Sequence, residues 1–198
     1  MRKSLSLLLL LVCSVAYAEM EVGYDHYLTP NGGNNYTDAY GFSAKYGWPV
    51  SDKLSVFIEG SHLTDIGFPV VDDPKGSFGE LRGFGGFIGT RLKLPEIWKL
   101  KPYALAAAGG YAWDFRENPF LQGNRVNVEV DPSLAFKAGL GATLPLSESW
   151  TVGFEAGWFD TNIPKEAVDD KGTEWNILDD DEIGLQYIYI NVYGMINW

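Results

Sequence analysis

Cysteine is nearly missing from this sequence. The 198 residues hold one, Cys13, and only two histidines, His26 and His62. Basic residues are short as well: 15 Lys and Arg face 26 Asp and Glu, a formal net charge of −11. After residue 18 no apolar run could span a bilayer as a helix. The longest candidate, Tyr103 to Trp113, is interrupted by Gly109 and Gly110 and falls far short of the ~20 residues needed. Helical spacing of apolar residues is also scarce. These shortages exclude a disulfide framework and a helical membrane bundle. The charge has the wrong sign for a phosphate-binding surface, so nucleic acid is not an expected partner.

The first 18 residues, MRKSLSLLLLLVCSVAYA, read as a secretory signal. Arg2 and Lys3 supply the charged start, Leu5 to Val12 the apolar core, and Ala16-Tyr17-Ala18 the cleavage site. A lipoprotein reading through Cys13 is opposed by Val12, which stands where a small residue is needed. The mature chain is expected to begin near Glu19 and to form one domain, residues 19–198. Cleavage would remove the lone cysteine and two basic residues. The exported protein would then lack disulfides although its compartment permits them.

What the sequence does contain is alternation, the mark of strands with two unlike faces. In AYGFSAKYGWPV, Tyr40, Phe42, Ala44, Tyr46 and Trp48 oppose Gly41, Ser43, Lys45 and Gly47. In LSVFIEGSH, Leu54, Val56 and Ile58 oppose Ser55, Glu59 and Ser61, with Phe57 an exception. In YALAAAGGYAWD, Tyr103, Leu105, Ala107, Tyr111 and Trp113 oppose Ala104, Ala106, Ala108, Gly110, Ala112 and Asp114. In SLAFKAGLGATL, Leu134, Phe136, Ala138, Leu140 and Leu144 oppose Lys137, Gly139, Gly141 and Thr143. In WTVGFEAGW, Trp150, Val152, Phe154, Ala156 and Trp158 oppose Thr151, Gly153, Glu155 and Gly157. At the chain end, Ile188, Ile190, Val192, Ile196 and Trp198 oppose Tyr187, Tyr189, Asn191, Tyr193 and Asn197. Two weaker strands, Met20 to Leu28 and Glu80 to Leu94, bring the number to eight. In the second, Phe84, Ile88 and Leu92 are expected outward and Phe87 and Arg91 inward.

Short connections at 49–53, 95–102 and 145–149 alternate with long ones at about 29–37, 63–79, 115–132 and 160–183. The fold class expected is therefore all-β: an eight-stranded antiparallel up-and-down transmembrane barrel with short periplasmic turns and four longer extracellular loops. In a soluble barrel or sandwich the bulky face would point inward and the other face would meet water. Here the second face holds Gly, Ala, Ser, Lys and Glu, a poor water surface and a poor dry core. The bulky face is therefore assigned to lipid.

Aromatics bracket that face at Tyr40 and Trp48, Tyr103 and Trp113, and Trp150 and Trp158. At ~3.3 Å per residue and ~45° tilt these intervals span roughly 19–23 Å, against an apolar band of ~25 Å between aromatic girdles. Trp48, Tyr103, Trp150 and Trp198 are assigned to the periplasmic girdle, and Tyr40, Trp113 and Trp158 to the outer one. A barrel has no free edge only if its last strand pairs with its first. That explains a chain whose final stretch, YIYINVYGMINW, is written as a strand to Trp198.

The signal segment, the AYGFSAKYGWPVSDKLSVFIEGSHL and PSLAFKAGLGATLPLSESWTVGFEAGW hairpins, KPYALAAAGGYAW and the aromatic C-terminal strand together resemble the small bacterial outer-membrane β-barrels of the OmpA-barrel and OmpX type. The resemblance covers essentially the whole mature chain. It implies an outer-membrane location in a Gram-negative envelope, and contact with the lipid bilayer and lipopolysaccharide. It also implies recognition of the terminal strand by the barrel-assembly machinery. Such strands usually end in Phe, so Trp198 departs mildly. No periplasmic domain is expected after the barrel, and so no peptidoglycan anchor.

Eight strands enclose only enough room for side chains, so the interior is expected to be a packed polar plug. If the first short turn pairs Trp48 with Val56, Lys45 falls opposite Glu59. If the third pairs Trp150 with Ala142, Lys137 falls opposite Glu155. Pairing is the expected answer to the cost of a buried charge, and Arg91 would pack beside small residues of neighbouring strands.

Enzymatic chemistry has little support. A nucleophile needs a hydrogen-bonded base, and the only adjacent pair, Ser61-His62, points to opposite faces of a strand. No cofactor is expected. The last long segment, 160–182, carries nine acids against Lys165 and Lys171. Carboxylates favour hard cations, so Asp169, Asp170, Asp179, Asp180, Asp181 and Glu182 form a candidate cation-binding loop, although their spacing matches no EF-hand. The function expected is a non-enzymatic envelope protein with a surface-interaction role, through an extracellular ligand at its loops. A narrow channel for small solutes is the alternative, and a lipid-A-modifying enzyme the third reading.

Overall fold

The computed structural model describes residues 19–30, 37–70, 73–115, 120–121, 124–129, 132–164, 166–169, 174–175 and 182–197. Residues 1–18, where a signal segment is expected, and Trp198 lie outside the described residues. The strands are β1 (Glu19–Leu28), β2 (Ala39–Pro49), β3 (Leu54–Val70), β4 (Asp73–Lys93), β5 (Lys101–Phe115), β6 (Phe120–Leu121), β7 (Asn124–Glu129), β8 (Ser133–Pro145), β9 (Trp150–Pro164), β10 (Glu166–Asp169), β11 (Glu174–Trp175) and β12 (Glu182–Asn197). Eight of them close a barrel in the order β1-β12-β9-β8-β5-β4-β3-β2. Every pair is antiparallel, and β12 returns to β1 from Leu28↔Ile188 to Glu19↔Asn197. Closure leaves the barrel no edge strand.

The ladder is staggered. Successive neighbours lead from Glu21 to Lys45, Glu59, Phe87, Gly109, Ala135, Thr161 and Leu185. Leu185 lies beyond Ile188, the partner of Leu28, so the circuit arrives well above its start. Such stagger tilts strands against a barrel axis.

At one end the connections are tight. The β2–β3 and β8–β9 turns share one device. Val50 N–H and Leu146 N–H donate to the carbonyls of Leu54 and Trp150. The Ser51 and Ser147 hydroxyls accept from the N–H groups of the same two residues. Pro49-Val50-Ser51-Asp52 and Pro145-Leu146-Ser147-Glu148 thus build the same turn twice. The β4–β5 connection differs: it folds back on itself through a bridge between Ile97 and Leu100, with Trp98 at φ 58°.

At the other end the strands run on. The stretch 63–79, read as a loop, is largely strand, because β3 and β4 continue through register shifts to Val70↔Asp73. Segments from the connections after β5 and β9 form a separate sheet in the order β11-β10-β7-β6, joined by pairs such as Val128↔Ala167.

The facing of β2, β3, β4, β8, β9 and β12 follows the alternation described above, with Phe42, Ile58, Ile88, Leu140, Phe154 and Val192 outward. β5 does not. Tyr103, Leu105, Ala107, Tyr111 and Trp113 are buried in the barrel, while Ala106, Ala108 and Ala112 face out. Tyr103 and Trp113 therefore belong to no girdle, and the length argument built on them does not apply to β5. The cause is steric. Tyr111 and Trp113 lie over Gly83 and Gly85 of β4, and Tyr103 lies over Gly141 of β8, each filling the space a Cβ would need. Alanine outside is apolar enough for an apolar surround. It leaves a trough of about 610 Å³ between Phe136, Trp158 and Ile88.

Candidate functional site

The lumen is where the described charges gather. Glu21, Lys45, Glu59, Arg91, Lys137 and Glu155 are all under 9% exposed, each carried inward by the period-two alternation of its strand. Lys45 does stand opposite Glu59 in the ladder, but 3.8 Å separates their charges. Its short contact is with Glu155, at 2.6 Å. Lys137 bonds Glu59. Arg91 grips Glu21 with both terminal nitrogens, Nη2 to Oε2 at 2.9 Å, and stands 3.6 Å from Glu155.

The expected Lys137–Glu155 pair is therefore not formed. The β8–β9 turn is tighter than read, with Pro145 pairing Thr151, so Lys137 falls opposite Phe159 and Glu155 opposite Gly141. The shift is an even number of residues, so both side chains keep their face and lose only their partner. The three short contacts join β2 to β9, β8 to β3 and β4 to β1. None of these strand pairs is adjacent in the ring, so each contact crosses the lumen.

Aromatic rings complete the plug. Lys137 Nζ lies 4.7–5.9 Å from the ring centres of Tyr27, Phe87, Phe159 and Tyr189. Distances of this order favour a cation over an aromatic face. Arg91 stacks 4.2 Å above Tyr103, whose hydroxyl donates to Glu155 at 2.9 Å. Towards the long-loop end the interior is apolar rather than polar: Leu63, Ile66, Leu81, Phe159, Tyr187 and Leu185 are at most 1% exposed. That corrects the expectation of a wholly polar filling. At the short-turn end a cavity of about 480 Å³ opens among Ser55, Lys93, Lys101 and Thr151 and ends against Arg91 and Tyr103.

The remaining predicted residues scatter. Tyr40, Trp150 and Trp158 are exposed on the outer face, and Trp48 is half-buried beside Tyr46. Of the candidate cation loop, Asp170, Asp179, Asp180 and Asp181 lie outside the described residues. Asp169 and Glu182 are described only as backbone, in β10 and β12. His26 stacks on Tyr40 at 4.6 Å and His62 packs on Phe84 at 4.3 Å, while Ser61 bonds Tyr111 inside the barrel.

Sequence reasoning missed Glu21 and Asp25, because β1 was given no faces. Met20, Val22 and Tyr24 alternating with Glu21, Gly23 and Asp25 carried that signal. Asp25 accepts from Asn191, whose amide also reaches Ser43, at 2.8 and 3.1 Å. The Asn191 amide lies in the notch left by Gly23.

A closed ring of eight antiparallel strands, apolar outside and cross-linked by charges within, defines a β-barrel of the outer-membrane class. The solved structures it resembles are of that class. OprG of Pseudomonas aeruginosa superposes with a TM-score of 0.66 at 10% identity, covering 92% of this chain and 95% of that one. Outer membrane protein W of Escherichia coli gives 0.56 at 12%, over 92% and 98%, and neisserial surface protein A gives 0.51 at 10%, over 92% and 96%. At these identities the likeness is one of fold. No protein-family model matches the chain, and no curated sequence does.

Proposed function

We propose that this protein is a closed, non-enzymatic outer-membrane barrel that serves the envelope as a structural element and meets its partners at its long-loop end. The observation that carries the reading is the set of three ion pairs across the lumen, capped by the apolar layer of Phe159, Tyr187 and Leu185. Their charges are spent on one another, and among the described residues they leave no file of water-accessible groups through the barrel. The strongly acidic 160–182 segment would face the lipopolysaccharide side, where divalent cations could bridge its carboxylates to phosphates. The C-terminal strand would be the one handled by the assembly machinery.

Planar-bilayer recording tests the seal: the purified protein should give no steady openings. A steady conductance would support the second reading, a narrow solute channel, which the open 480 Å³ cavity favours at one end only. Mass spectrometry of lipid A with and without the protein addresses the enzyme reading, and the expected spectra are identical.

A further inference from the structure

The β4–β5 turn is unlike the other two short turns. Ile97, Trp98 and Leu100 are 68%, 87% and 37% exposed, a cluster of large apolar side chains at a turn tip. They are not frayed. Ile97 and Leu100 exchange both backbone hydrogen bonds at 3.0 Å, and Leu94 N–H donates to Pro102 O at 2.9 Å. This two-residue tip puts Trp98 at φ 58°, the only positive φ of a non-glycine residue among those described. Tight hairpin tips favour Gly, Asn or Asp there, and a bulky residue in that region is strained. A strained tip that displays an indole to water has no folding advantage to offset the strain. Lys99 stands beside Trp98 at the tip itself, while Lys93, Glu96 and Lys101 line the cavity at the lumen mouth, so the tip presents a cation next to its apolar cluster.

We propose that this turn docks on the periplasmic leaflet of the bilayer: Ile97, Trp98 and Leu100 enter the interfacial zone, and Lys99 at the tip binds anionic phospholipid headgroups. An amphipathic ring settles at headgroup depth, lysines lay their stems along apolar surface with the ammonium in the polar layer, and basic residues beside a membrane are held by anionic lipid. Val50 and Leu146, 59% and 63% exposed, present one aliphatic side chain each from the other two turns at the same end. The inference rests on the outer-membrane reading above.

The test uses the cysteine-free mature chain. Glu96→Cys carries an environment-sensitive fluorophore beside the intact cluster, and Phe42→Cys carries the same label on the outer wall as a control. Both are refolded into phosphatidylcholine vesicles with or without phosphatidylglycerol, and a headgroup-depth spin-labelled lipid serves as quencher. The expected result is a blue-shifted, quenched signal at position 96 that strengthens with phosphatidylglycerol. Trp98→Ser should lose most of the quenching, and Lys99→Ser should lose the phosphatidylglycerol increment. An unquenched, water-like signal at position 96 with a quenched control overturns the docking proposal alone. Equal quenching in both lipids overturns the headgroup assignment. Loss of quenching at both positions overturns the barrel reading together with it.

Discussion

Strands β2 and β5 are written alike and face opposite ways. Each alternates large and small residues, Tyr40-Phe42-Tyr46 against Gly41-Ser43-Lys45 and Tyr103-Tyr111-Trp113 against Ala104-Ala106-Ala112. Yet β2 turns its bulk outward and β5 turns its bulk inward. The difference shows what each side of the wall demands. The outside asks only that a side chain be apolar, and alanine meets that as well as phenylalanine. The inside asks for a filled volume and balanced charge. Strands with small inner faces, such as β2, β8 and β9, leave room for Lys45, Lys137 and Glu155. β5 fills the remaining space with rings laid over glycines of its neighbours.

That contrast can be broken at either partner. The largest effect is expected on the small-faced side. Lys137→Ala would leave Glu59 with only the 3.8 Å contact to Lys45, and should cost about 3–5 kcal/mol in urea unfolding of the vesicle-inserted protein. Next, Ala106→Lys on the outer face of β5 should cost about 2–4 kcal/mol if it meets the bilayer midplane. A neutral result in the same assay would mean that β5 faces the other way. On the bulky side, Gly85→Ala brings a methyl within 2.6 Å of the Tyr111 ring. Overpacking of this kind costs about 1–3 kcal/mol, read as a lowered midpoint with an unchanged slope. The finest distinction is between neighbours. Ala107→Leu should show an overpacking loss, while Ala106→Leu should stay within about 0.5 kcal/mol of the parent.

Much of the architecture was legible because period two survives every detail of register. The strands at 40–48, 133–144 and 150–158 needed only alternation and a turn. β5 departs from that expectation because bulk does not by itself mark the lipid face, and charge is the better guide. With Arg91 inward, the pairing Arg91↔Leu105 puts Tyr103 inward too. That pairing depends on how the PEIWKLKP turn folds, which spacing alone does not reveal. The ion partners were hidden for a related reason. Ladder neighbours can be read from a turn, but contacts across a staggered ring depend on the tilt of all eight strands. Glu21 and Asp25 were within reach, had β1 been assigned its faces.

The transverse charge pairs also bear on the order of events in time. A partly paired sheet can form every hairpin and still leave Arg91, Lys137 and Glu155 without their counterparts, since Glu21, Glu59 and Lys45 arrive from strands that meet them only when the cylinder shuts. Half-built intermediates are thus penalised until β12 reaches β1, and insertion should proceed as a single late, concerted step rather than strand by strand.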